Sequence, residues 1–132
     1  MRQTTSFAHA PESVTAARRF ATDVLEGAPA AALEVVRLLV SELASNCIRH
    51  TDTGFELTIR QTGHEIRVQA TDRGSGEPTV RRPGPLDPNG RGLQIIDMLS
   101  SAWGVEQSSG VGKTVWFTVE LQAPAPFESA RV

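Results

Sequence analysis

Hydrophobic and polar positions alternate with two different periods along this chain, and the change of period divides it into elements. Thr4 to Phe7 is a short candidate strand. Pro11-Glu12 then opens a helical pattern, with proline suited to the first helical position and glutamate to the first turn. Val14, Ala17, Ala21, Val24 and Leu25 recur at helical spacing, and Gly27 is the expected stop. A second helix is expected from about Pro29 to His50. On it Leu33, Val36, Val40, Leu43 and Cys47 fall within an arc of about 80°, which marks a core face. Phe55, Leu57 and Ile59 then alternate with Glu56, Thr58 and Arg60, and Ile66, Val68 and Ala70 alternate with Glu65, Arg67 and Gln69. Gln61-Thr62-Gly63-His64 between them reads as a hairpin turn.

From Asp72 to Gly92 glycines and prolines displace apolar residues, so this stretch is loop, long enough to suggest a lid or disorder. A short helix (Gly92 to Leu99) and two strands (Trp103–Val105 and Val115–Leu121) complete the pattern. The order β-α-α-β-β-loop-α-β-β predicts an α+β fold. Its form is a two-layer sandwich, a mixed but mostly antiparallel sheet covered on one face by helices. One domain over residues 1–122 is expected, with 123–132 a flexible tail.

Composition narrows the function classes. The 132 residues suit one domain, and 39% apolar with 21% charged residues is ordinary for a soluble globular protein. A formal charge of −2 gives no global electrostatic case for nucleic acid or an anionic membrane. The single cysteine, Cys47, allows no intramolecular disulfide. With no secretory signal and no apolar run near the ~20 residues of a spanning helix, a cytoplasmic location is expected. Of the 13 basic residues only Lys113 is a lysine. Gly110-Val111-Gly112-Lys113-Thr114 resembles the end of a P-loop, but Gln107 stands where the first glycine is required. The residues after it alternate like a strand instead of a helix, so the P-loop reading fails.

Three short groups carry candidate chemistry. Glu42, Asn46 and Arg49 lie within roughly 60° of one another on the second helix, away from the core face, with His50 at their edge. A carboxylate and an amide carbonyl side by side suit Mg²⁺ and general-base chemistry; taken alone, the group also reads as a solvated polar stripe. Asp72-Arg73-Gly74-Ser75-Gly76 follows a strand. A carboxylate there can accept a hydrogen bond from an exocyclic amine such as that of adenine, and glycines allow close approach to a flat ring. A plain β-turn has the same composition. Gly90-Arg91-Gly92 opens a helix, where free N–H groups favour phosphate, and a glycine N-cap explains it equally.

Taken in order, Glu42-Leu43-Ala44-Ser45-Asn46-Cys47-Ile48-Arg49-His50, Asp72-x-Gly74-x-Gly76 and Gly90-x-Gly92 resemble the three nucleotide-binding boxes of the GHKL (Bergerat-fold) ATPases. Within that superfamily the chain is most similar to the small bacterial anti-sigma factor serine/threonine kinases. Their Glu-Leu-x-x-Asn-Ala-x-x-His pattern is matched except for Cys47 in place of alanine. The resemblance implies ATP and Mg²⁺ as ligands, with Asn46 coordinating the metal and Asp72 binding the adenine amino group. Gly74 and Gly76 would shape the base pocket. Gly90, Arg91, Gly92 and Leu93 would cradle phosphates, Thr114 would lie near the adenine, and Arg49 and His50 would border the site. Glu42 would be the general base toward a partner's serine or threonine, and Glu77 to Asn89 would be a lid.

The implied partners are a sigma factor and an anti-anti-sigma protein. A homodimer is compatible with the resemblance, although no exposed apolar stripe demonstrates one. Two alternatives stand beside the anti-sigma kinase. One is a nucleotide-dependent binding switch with little phosphotransfer. The other is the ATPase domain of a sensor histidine kinase, which predicts a preceding helix pair with a phosphoacceptor histidine. The first helix has no internal histidine.

Overall fold

The computed structural model describes residues 1–72, 91–108 and 112–121, and of Arg91, Gly92 and Ser108 it gives the backbone. The elements are β1 (Arg2–Phe7), α1 (Glu12–Val24), α2 (Ala30–His50), β2 (Phe55–Gln61), β3 (Glu65–Asp72), α3 (Arg91–Leu99), β4 (Ala102–Ser108) and β5 (Gly112–Glu120). This is the order read from the hydrophobic pattern. The five-stranded sheet runs β1-β2-β3-β5-β4. Each of its pairings is antiparallel, so no parallel pair of the expected mixed kind occurs among the described residues.

Three helices lie over one face, side by side. α1 lies against β1 and β2, α2 against β3 and β5, and α3 against β4, so α2 has a helix on either flank. That explains why its buried arc is wider than the sequence pattern suggested. Ala32, Leu39 and Ala44 join Val36, Val40, Leu43 and Cys47 in the core, while Leu33 is half-buried. α1 presents Ser13, Ala17, Ala21 and then Leu25 at i, i+4 spacing, and the small residues let it approach closely. The chain leaves α1 through Gly27, whose φ of +99° suits a residue without a Cβ. Beneath the helices β3 buries alternate residues, Ile66, Val68, Ala70 and Asp72. Phe7, Phe20 and Phe55 lock β1, β2 and α1 together, with ring centroids 6.0 and 5.4 Å apart. The hairpin of β2 and β3 closes where expected, with Thr62 Oγ1 accepting from the His64 and Glu65 N–H groups.

The last strands differ in extent from the sequence pattern. β4 runs to Ser108, past the predicted Val105, because its ladder with β5 continues to Gly112. Gly112-Lys113-Thr114 opens β5, which runs on as a strand to Glu120 where a P-loop needs a helix. No helix among the described residues is long and apolar enough to cross a membrane.

Candidate nucleotide site

Asp72 is the last residue of β3, the middle strand of the sheet, and it continues the inward phase of Ile66, Val68 and Ala70. Its side chain therefore enters the helix layer, and only 4% of the residue is exposed. Across the ladder it faces Phe55 on β2 and Lys113 on β5. Burial raises the carboxyl above its ordinary value, while the Lys113 charge and a hydrogen bond from the Lys113 backbone pull it back down. From above, the same carboxylate acts on α2. Burial pushes the Cys47 thiol up to about 12, with Asp72 adding to the shift and Lys113 opposing it. Asp72 and the C-terminal half of α2 thus share one small volume.

Which flank of α2 borders that volume follows from its neighbours. Arg18 on α1 donates to Ser41 Oγ at 2.9 Å, so α1 takes the Ser41 side. Glu42, Asn46 and Val35 lie roughly 120° around the helix from Ser41. They are half-buried, on the flank that faces α3. α3 begins with Arg91 and Gly92, and by helix geometry its first N–H groups have no partner within the helix. Leu93 packs half-buried against the core. Asp72 thus lies under Cys47 of α2, and the flank of α2 that carries Glu42 and Asn46 faces α3.

Other expected site residues stand differently. Arg49 and His50 are exposed at the end of α2. Thr51 closes that end, with both its N–H and its hydroxyl bonded to the Cys47 carbonyl. Gly74, Gly76, Gly90 and the lid from Glu77 to Asn89 lie outside the described residues. So does the tail expected at 123–132. The side chain of Thr114 lies on the opposite face of the sheet from that of Asp72. Thr114 pairs with Thr71, and the two hydroxyls are hydrogen-bonded at 2.8 Å on the sheet face away from the helices. The inward neighbour of Asp72 is Lys113, because side chains alternate along β5 and Val115, Phe117 and Val119 share the inward phase.

Sequence reasoning missed Lys113 and Phe55 as the walls around Asp72. The alternation of β5 would have shown the first, and counting inward residues along β3 would have shown that Asp72 points into the core. Among the described residues no group of three histidine, cysteine or acidic side chains converges as a metal site. A divalent cation here would rely on oxygen donors from few protein groups, together with phosphate and water. The Asn46 amide suits that arrangement.

Comparison with known proteins agrees with this fold. Residues 7–119 match the model of the histidine kinase-like ATPase domain. Among solved structures, the chain is similar to the blue-light activated histidine kinase EL346 of Erythrobacter litoralis. The TM-score is 0.59 at 21% identity, over 82% of this chain and 40% of that one. The histidine kinase domain of the same protein gives a TM-score of 0.57 at 22% identity, with 82% and 59% covered. Full-length ShkA, solved in complex with AMPPNP, gives 0.55 at 21% identity, with 94% and 33% covered. The chain thus spans between a third and three fifths of the length of these structures, and at such identity they attest the fold. A comparison with curated proteins found no match. A buried acid at the end of the middle strand, beneath a helix carrying Glu42 and Asn46, joins a family match over most of the sequence: the chain belongs to the histidine kinase-like ATPase domains of the GHKL superfamily.

Proposed function

We propose that this chain binds ATP and acts as an anti-sigma regulatory kinase, transferring a phosphoryl group to a serine or threonine of an antagonist protein. The observation that carries the nucleotide reading is Asp72. It is a carboxylate buried against an unfavourable desolvation cost and held by a main-chain N–H, as an acceptor for a ligand amine would be. The Asn46 amide oxygen would hold Mg²⁺, which screens the phosphate charge. Glu42 stands one turn before Asn46 on the same half-buried flank, and would take the proton of a hydroxyl delivered to the phosphates. In the transfer, the hydroxyl oxygen bonds to the γ-phosphorus and its proton passes to the Glu42 carboxylate. The bond to the β–γ bridging oxygen breaks, and ADP leaves.

A second reading has its own support. The similar solved structures are histidine kinases, which favours the ATPase domain of a sensor kinase. The chemical stability of the product separates the two. Incubated with γ-labelled ATP and a cell extract, the intact chain should place acid-stable label on serine or threonine. Glu42→Ala should abolish that transfer and leave ATP affinity within about threefold. Acid-labile label on histidine would support the sensor-kinase reading. ATP binding without labelling would leave a nucleotide-dependent binding switch.

A further inference from the structure

The sheet has a second face, turned away from the helices and from Asp72. The register places its outward residues in rows that cross the strands. One row is Arg2, Arg60, Arg67, Thr118 and Ala102. Three arginines thus stand directly opposite one another on adjacent strands, about 4.8 Å apart. Like charges in that relation destabilise a sheet, and no carboxylate stands in the row to offset them. Edge protection accounts for Arg2 on β1, but Arg60 and Arg67 lie on interior strands.

The next row is Thr4, Thr58, Gln69, Trp116 and Gly104. Here Arg67 is held in place: its guanidinium lies 4.3 Å from the centre of the Trp116 ring and donates to Gln69 Oε1. Trp116 in turn fits over Gly104, where a Cβ would meet ring atoms at 2.8–2.9 Å. The result is a flat surface with a fixed cation at one end of a charged row and two exposed arginines beyond it.

We propose that this outer face docks a partner protein through the acidic side of a helix laid along the arginine row. Carboxylates at i, i+3 and i+7 of a helix advance about 4.5 and 10.5 Å, close to the one- and two-strand spacings of the row. Nucleic acid fits less well. Glu65 and Glu120 border the row, Glu56 and Glu106 stand two rows away on the same face, and together they repel a broad polyanion. A second copy also fits less well. Turned on itself about the middle row, the face sets Arg60 against Glu56 but leaves Arg2 and Arg67 opposite Ser6 and Thr71.

The test uses the intact chain and an alanine-based helical peptide with glutamates at i, i+3 and i+7. Its lysine counterpart is the control, at low ionic strength, with tryptophan fluorescence and peptide anisotropy as readouts. The glutamate peptide should bind and the lysine peptide should not. Arg60→Glu should weaken binding at least about tenfold and raise the melting temperature of the free chain, since it relieves the repulsion. The same variant should bind ATP as the parent does, which separates this surface from the nucleotide site. Four results would overturn the proposal: no binding of the glutamate peptide, equal binding of both peptides, unchanged affinity in Arg60→Glu, or tighter binding of a DNA duplex. Self-association abolished by Arg60→Glu would also overturn it, in favour of a second copy as the occupant.

Discussion

Asp72 holds the strongest tension between stability and function in this chain. Its carboxyl is raised above the ordinary value because burial disfavours the charge more than Lys113 restores it. A carboxyl raised on folding binds more protons in the folded than in the unfolded state. The stability it contributes is therefore present at low pH and is lost as pH rises from about 3.8 through the raised value. Once the pH has passed the raised value that contribution is gone, and Asp72 burdens the nucleotide-free fold. Asp72→Asn should lift that burden, so the variant should melt at or above the parent temperature at pH 7, with the gain shrinking toward pH 4. Thermal melts across that range check this. A variant less stable at every pH would mean that the carboxylate is held mainly by its hydrogen bond from Lys113.

Elements were legible in the sequence wherever a periodic apolar face met a single buried layer. Val36, Val40, Leu43 and Cys47 predicted the inner face of α2, and the alternation of Ile66, Val68 and Ala70 predicted β3. What one element cannot show is its neighbours. Leu39 and Ala44 are buried on opposite sides of the inner face because α3 and α1 flank α2, and neither flank is encoded in the periodicity of α2 itself. Register is likewise a property of pairs. Arg2, Arg60 and Arg67 are scattered through the sequence and become a row only when three strands hydrogen-bond. The same holds for Lys113 and Thr114, adjacent strand residues that point to opposite faces, so that Lys113 and not Thr114 shares the face of Asp72. Gly104 belongs to this scale too. It is a strand glycine that makes room for the Trp116 ring, and adding a methyl group forces that ring to move. Gly104→Ala should cost about 1–3 kcal/mol of stability in chemical denaturation and change the Trp116 fluorescence. A cost near zero would mean that the ring swings aside freely.

At the scale of the whole molecule, the sheet separates two surfaces. On the helix side, α2 brings Cys47 over the end of the middle strand, where Asp72 lies between Phe55 and Lys113, and carries Glu42 and Asn46 on its half-buried flank. On the other side lies the arginine row with Trp116. The proposed function depends on Asp72 marking a nucleotide site. The most direct measurement is a calorimetric titration of the intact chain and of Asp72→Asn with ATP, each with and without Mg²⁺. We predict micromolar, Mg²⁺-dependent binding to the parent, weakened in Asp72→Asn by at least about 1.4 kcal/mol, a tenfold loss. No binding to the parent, or equal binding to both, would contradict the assignment of Asp72 as the adenine acceptor.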